Sequence, residues 1–377
     1  MKIVYLIAGT FNSGGMERVL ANKANYLVSH GYDIIIVTTD QHSKEPYFSL
    51  DKRINCFDLN VNYADNNGKS ICNKLLHYPF KQRIHKRKLT QLLMRLKADI
   101  VISMFCNDVS FITNIKDGSK KILEIHFSKF KRLQYGRNGL WRLVDIWFNR
   151  QDEKIISRFD RFVVLTEEDK TYWGNLPNIA VIPNARTFDA SEEVSELTSK
   201  NVVAIGRYDY QKGFDILLDI WNEVCKVVPD WHLDIVGDGT LHNEFQNIIN
   251  KYGIEDRVTL AKPTDNIRQY YLNSSLLVMT SRYEGLPMVL LEAQAFGLPI
   301  VSFACKCGPS DIITDGVDGY LIEEGDKKLF TDKLVDLINN KLLRLQMGTT
   351  AKRNSERFAQ EKVMKKWTDL FESLVAK

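Results

Sequence analysis

The strongest constraint on this chain is a pattern that runs through it twice: short apolar runs separated by glycine-containing loops and helical stretches. Residues 2–8 read as a strand with no polar alternation, 9–15 as a loop, 16–29 as a helix stopping near Gly31, and 34–38 as the next strand. Strands apolar on both faces belong in parallel sheets covered by helices. Further strands follow at 99–104, 121–125, 161–165 and 179–182, before a polar stretch at 189–200 that reads as a linker. The alternation restarts at 201–205, with a helix at 214–228 and strands at 232–236, 257–260, 276–279, 300–303 and 320–322. A last amphipathic helix spans 357–374. The class is therefore α/β, with two doubly wound parallel-sheet domains, and 377 residues suffice for two cores.

Composition narrows the function classes. A hydrophobic fraction of 44% and a charged fraction of 26% describe a globular chain, not a disordered one. The cysteines at 56, 72, 106, 225, 305 and 307 lack zinc-site spacing and read as reduced thiols of a cytoplasmic protein. The opening apolar run ends at Gly9, too short for a signal peptide, and no run approaches the roughly 20 residues of a membrane span. Charge is unevenly divided: residues 1–188 carry 29 Lys and Arg against 18 Asp and Glu, an excess of +11, and the remainder 22 against 29, or −7. No acid occurs between Asp65 and Asp99, where Lys69, Lys74, Lys81, Arg83, Lys86, Arg87, Lys88, Arg95 and Lys97 interleave with apolar residues. The bland reading is a solvated helix face; the sharper one is adsorption to an anionic membrane surface, the inner face of the cell membrane. Residues 127–150, aromatic and basic, are a second candidate for lipid or acceptor contact. No nucleic-acid-binding module accompanies the charge.

The chemistry concentrates at 281–299, SRYEGLPMVLLEAQAFGLP. A polar turn through Glu284 and Gly285 leads to Pro287, suited to a first helical turn, and Gly297 supplies a stop. Uncommitted N–H groups are expected at Leu286, Met288 and Val289, where a helix terminus binds phosphate. Glu292 falls on the second turn of an otherwise apolar helix, and a buried carboxylate needs a partner. An anion socket and two acids eight residues apart suit a nucleotide diphospho-sugar. Arg207 and Lys212, between Gly206 and Gly213, offer one forked donor and one point charge. His126 directly follows a strand, where open sheets place ligands. GTFNSGGMER is not a dinucleotide-binding fingerprint, although Gly14 and Gly15 let backbone approach a ligand closely.

The spacing of Glu284 and Glu292 in EGLPMVLLE resembles the E-x7-E motif of retaining glycosyltransferase family 4, of GT-B fold. The Gly14-Gly15 loop, His126, VIPNAR at 181–186, and Arg207 with Lys212 resemble further family motifs, in the family's order. The resemblance implies two Rossmann-like domains facing across a cleft. Residues 1–188 would bind acceptor and 189–356 the donor, with 357–377 packing back on the first. It implies catalytic roles for His126, Glu284, Arg207 and Lys212. Donor contacts fall on Gly14, Gly15, Arg207, Lys212, Gly285, Leu286, Pro287, Met288 and Glu292. Glu284 would touch the sugar, Glu292 the ribose, and Arg207 with Lys212 the diphosphate.

The expected activity is transfer from a UDP- or GDP-sugar to a saccharide or polyisoprenyl-linked glycan in bacterial surface polysaccharide assembly. The donor is a co-substrate and no cofactor is expected. No Asp-x-Asp occurs in the chain, so metal independence is expected. Two rivals are a nucleotide-sugar epimerase on the same fold, which needs no acceptor, and a peripheral membrane-binding protein without activity.

Overall fold

The computed structural model of the protein describes residues 1–66, 71–129, 153–188 and 193–376. The chain divides into two compact units. The first comprises Met1–Leu165, Lys170–Ile182 and Met364–Lys377; the second comprises Thr166–Asp169 and Pro183–Val363. Most of the aromatic and basic segment at 127–150 lies outside the described residues.

In the first unit, β1 (Lys2–Ile7), β2 (Asp33–Thr38), β3 (Asn55–Asp58), β4 (Ile100–Ser103), β5 (Lys120–Glu124), β6 (Arg161–Val164) and β7 (Ile179–Val181) form one sheet. The order is β3-β2-β1-β4-β5-β6-β7, and every pairing is parallel. β1 from Ile3 to Ile7 is buried on both faces, which is why no polar alternation marks it in the sequence. β3 escapes the sequence reading because it is a mostly exposed edge strand of four residues, too short to show a period.

The second unit repeats the plan with β8 (Asn201–Ile205), β9 (His232–Val236), β10 (Val258–Ala261), β11 (Leu276–Met279), β12 (Ile300–Phe303) and β13 (Gly319–Ile322). Their order is β10-β9-β8-β11-β12-β13, again all parallel. In each unit the winding reverses beside its first strand, between β1 and β4 and between β8 and β11. Open sheets bind ligands at such a switch point, beyond the carboxyl ends of the strands.

The helices cover these sheets with apolar stripes. Helix Gly15–Ser29 buries Val19, Leu20, Ala24, Leu27 and Val28, and with them one charged residue, Lys23. The acid-free stretch becomes a single helix, Ile71–Leu96, which runs through Pro79. Its inward side carries Leu89, Leu92, Leu93 and His85, and burial lowers the His85 ring to about 4.

Two boundaries differ from the sequence reading. The expected linker is docked where it is described: Ser195 N donates to Phe296 O at 3.0 Å, and Arg344 Nη2 to Leu197 O at 3.4 Å. The last helix is broken, with a 3-10 turn at Glu356–Phe358, extended backbone at Ala359, and an α-helix over Gln360–Val375. The latter helix packs Phe371 edge-on against Tyr32 of the first unit, centroids 6.5 Å apart.

Asp108, just beyond β4, is 1% exposed, and burial raises its carboxyl to about 6 with Ser103 opposing. The unfolded chain would ionise near the ordinary value while the folded one resists, so stability declines as pH rises from about 4 to 6. Asp108→Asn should therefore raise the urea midpoint at pH 7.5, by on the order of 2 kcal/mol in stability, and have little effect at pH 4. An equal effect at both pH values would mean the carboxyl is not held protonated by the fold.

Candidate functional site

β8 and β11 are adjacent and parallel, so the loops leaving Ile205 and Met279 emerge together at the carboxyl edge of the second sheet. After β8 come Arg207 and a 3-10 turn, Tyr210–Lys212, capped by Asp209, whose side chain accepts from Lys212 N at 3.3 Å. Gly213 then starts helix Phe214–Val227 at φ +64, and a Cβ there would lie 2.2 Å from Thr280 O. That contact clamps the β8 loop against the end of β11. Arg282 fastens it further, donating to Asp215 at 3.0 and 2.5 Å and to Tyr210 O at 2.7 Å, with its guanidinium 4.1 Å from the Tyr210 ring centre.

This clamp brings Lys212 to Glu284. Lys212 Nζ donates to Glu284 Oε1 at 2.7 Å, and the two side chains are only 16% and 7% exposed. Gln211 Nε2 ties the pair in, donating to Tyr283 O at 3.0 Å and to Glu284 Oε2 at 3.4 Å. Glu284 is held on its other side by backbone pairing: its N–H donates to Lys306 O at 2.8 Å, and its carbonyl accepts from Cys307 N at 3.2 Å. Arg207 stands differently. Its side chain is 73% exposed, with Nη2 3.2 Å from Asp209 Oδ2 and 3.4 Å from Gln211 Oε1. One cation is locked and the other presented to solvent.

Gly285, Leu286 and Pro287 carry the chain from Glu284 into helix Met288–Ala295. Pro287 is the residue before the first turn, in extended conformation at ψ 106, and not inside that turn as the sequence suggested. No side chain caps this helix start, so the amides of Met288 and Val289 have no intrahelical acceptor. Glu292 is 3% exposed, and Tyr271 Oη donates to its Oε2 at 2.6 Å. Tyr271 in turn stacks on Phe296, ring centres 5.2 Å apart, which fixes the hydroxyl's direction. Gly297, at φ +71, ends the helix as the sequence reading expects.

Gly14, Gly15 and His126 belong to the first unit. Gly14 precedes the helix start at Gly15, and a side chain at 14 would collide with the Glu17 carboxylate. His126 follows β5, its Nε2 3.1 Å from Glu124 Oε1. Glu124 Oε1 also receives Lys23 Nζ at 2.5 Å.

Residues 13–187 match the family model described as Glycosyltransferase Family 4, and 186–354 the model described as Glycosyl transferases group 1. The chain is 32% identical over 390 residues to the amylovoran biosynthesis glycosyltransferase AmsD of Erwinia amylovora, covering 98% of this chain and 99% of that one. The chain belongs to this glycosyltransferase family.

Another relative of the enzyme is a Campylobacter jejuni alpha-1,4-N-acetyl-D-galactosaminyltransferase named for a PP-undecaprenol-linked acceptor. It is 27% identical, with 98% of each chain covered. The structure of Anabaena HepE in complex with UDP-glucose superimposes with a TM-score of 0.76 at 16% identity, covering 99% of this glycosyltransferase and all of that chain. The shared fold is GT-B. The site of the glycosyltransferase holds more than its sequence advertised. Gln211, Asp215, Arg282 and Tyr271 have no motif of their own, because each acts through a contact more than 15 residues away in sequence, apart from Gln211's neighbour Lys212. Lys23 did leave a signal, as a lysine four residues from both Val19 and Leu27 on an apolar stripe.

Gly213→Ala should lower stability by about 1–2 kcal/mol or more, since it forces a side chain into the left-handed region against Thr280 O. Urea unfolding checks this, and an unchanged midpoint would show that the β8 loop is not clamped there.

Proposed function

We propose that this glycosyltransferase transfers a sugar, with retention of anomeric configuration, from a UDP- or GDP-sugar to a saccharide or polyisoprenyl-linked glycan during assembly of a bacterial surface polysaccharide. The observation that carries the donor reading is the Lys212–Glu284 pair at the switch point. Arg207 lies exposed beside it, and an uncapped helix starts four residues beyond Glu284. Support for the glycan reading comes from the amylovoran and undecaprenol-linked chemistry in the relatives' names, and for UDP from the ligand of the structural neighbour.

In the free protein Glu284 neutralises Lys212 through the 2.7 Å contact. A diphosphate offers Lys212 a doubly charged partner, so donor binding moves the ammonium to the phosphates and releases Glu284 to a sugar hydroxyl. Arg207 brings its fork to the same leaving group, and the amides of Met288 and Val289 complete the anion cradle. Glu292, oriented by Tyr271, takes the ribose, and His126 accepts from a hydroxyl of the donor sugar. The leaving phosphate accepts the proton of the attacking hydroxyl, so no covalent carboxylate nucleophile is required. Cations and amides neutralise the diphosphate in place of a metal, so activity is metal-independent and needs no resident cofactor.

The test is hydrolysis of a panel of UDP- and GDP-sugars, followed by the variants. Activity should survive excess EDTA, and Lys212→Ala should abolish most of it. Glu284→Gln removes a charge-assisted hydrogen bond of about 1.5–3 kcal/mol and should lower kcat roughly ten- to over a hundredfold at saturating donor. Because the same change frees Lys212, affinity for the free nucleoside diphosphate should hold or rise. Glu292→Ala should instead raise donor KM and weaken nucleotide binding, with kcat changed less. Turnover restored by manganese after EDTA, or no turnover of any such donor, would overturn the reading.

A membrane-facing role is proposed for the first unit. On helix Ile71–Leu96, Arg83, Lys86, Arg87 and Arg95 are exposed, as are Tyr78, Phe80 and Met94, whereas Lys81 and Lys88 turn back to the carbonyls of Asn62 and Leu59. Among the described residues no helix is long and apolar enough to cross a membrane. Replacing the four exposed cations with Gln should weaken binding to vesicles containing phosphatidylglycerol, each contributing about 1 kcal/mol. Wild-type protein that ignores such vesicles at low salt would end this proposal.

A further inference from the structure

Lys23 is a misfit on its own helix. It sits on the buried stripe of Gly15–Ser29, 5% exposed, and points at the end of β5. There its ammonium lies 2.5 Å from Glu124 Oε1, a carboxylate that is itself 1% exposed. The indole of Trp367, on the last helix, lies across the ammonium with its ring centre 3.8 Å from Nζ, and Tyr5 of β1 faces it at 5.8 Å. Burial alone would raise the Glu124 carboxyl, but the Lys23 ammonium beside it outweighs burial and holds it below the usual carboxylate range. For Lys23 burial prevails over Glu124 and its pKa falls from the ordinary lysine value. The two shifts pull in opposite senses. The short contact and the covering indole face both stabilise a charged lysine, so the pair is ionised at neutral pH.

Such a pair is a poor device for stability alone, because apolar replacements of similar volume are often neutral or stabilising. Its geometry is also not that of a self-sufficient bridge. Lys23 and His126 Nε2 converge on the same oxygen, Oε1, at 2.5 and 3.1 Å. Among the described residues Glu124 Oε2 and His126 Nδ1 have no hydrogen-bond partner, and His126 Nε2 has only the 3.1 Å contact with Oε1. The His126 side chain is only 7% exposed. Unsatisfied buried polar atoms at a strand's carboxyl end mark a place where something else completes the set.

We infer that Lys23 and Glu124 are positioning residues for His126, a buried ion pair whose carboxylate faces Nε2, holds the ring proton there and leaves Nδ1 as the acceptor for a ligand hydroxyl. With the proton on Nε2 the N–H dipole faces the carboxylate; the other tautomer turns a lone pair toward it, which is repulsive in a dry site. Lys23 anchors the carboxylate from the helix that begins at the Gly14-Gly15 loop, so that loop and His126 share one rigid support. Trp367 keeps water from the pair. The ligand hydroxyl is taken to be that of the donor sugar, and this part rests on the function proposed above.

The experiment uses the full chain with 15N-labelled histidine, the His126 ring being assigned with His126→Gln. Wild type should show the Nε2–H tautomer. Lys23→Met combined with Glu124→Met removes both charges without leaving one stranded. In that variant the ring signals should move toward a tautomer mixture, and donor turnover should fall about ten- to a hundredfold. UDP binding and the unfolding midpoint should stay near wild type. If the double variant does not fold, Glu124→Gln, which keeps the shape and removes the charge, should show a smaller shift in the same direction. An Nδ1–H tautomer in wild type, or unchanged ring signals and turnover in the folded variant, would overturn the inference. If wild type turns over no nucleotide sugar, the donor assignment fails and the ring signals alone decide whether the pair positions His126.

Discussion

Parallel pairing is the constraint on which the rest of the structure depends. Every strand of both sheets runs in the same direction as its neighbours, so each connection must return across a face, and helices do the returning. In each sheet the carboxyl ends then lie along one edge, and the reversal of winding opens a gap there, between β1 and β4 in the first and between β8 and β11 in the second. The residues with chemical reach sit on loops at that edge: Arg207 and Lys212 after β8, Glu284 after β11, His126 after β5. The framework is apolar and indifferent to substrate, and the loops it aligns are not.

In each unit the edge is organised by a largely buried acid–base pair. Lys212 with Glu284 is built on a glycine in the left-handed region and an arginine staple, and it lies beside a second cation left in solvent. Lys23 with Glu124 is sealed by an indole and touches a histidine. Neither arrangement is what stability alone would select, because desolvated charges are costly unless fully satisfied. The first suits a charge that a ligand could draw away, and the second a fixed charge that orients a neighbouring ring.

Membership of the glycosyltransferase family rests on relatives that cover nearly the whole chain, whereas the structural neighbour, at 16% identity, speaks to fold. The proposed donor follows from the chemistry of the second unit's edge, and the proposed acceptor from the relatives' names. In the proposed site a diphosphate would meet two cations and the amides of a helix start, and a ribose the Glu292 carboxylate that Tyr271 orients.

Much of this was legible in the chain itself. Buried parallel strands announce themselves as unbroken apolar runs, so both sheets could be read, apart from the exposed four-residue edge β3. Local chemistry was equally readable: the acids of EGLPMVLLE, the cations flanked by Gly206 and Gly213, and the stop at Gly297 all act within a few residues of themselves. What the sequence could not state is which distant side chains meet. Glu284 finds Lys212 across 72 positions, Glu292 finds Tyr271 across 21, and Lys23 finds Glu124 across 101. Periodicity and spacing describe only neighbours along the chain. The same limit explains Pro287, placed just outside its helix by the backbone pairing of Glu284, and the docked segment at 193–200, whose polar composition looked like a tether. The tertiary structure decided these because a hydrogen bond depends on distance in space, and only the folded sheet brings the two ends of each bond together.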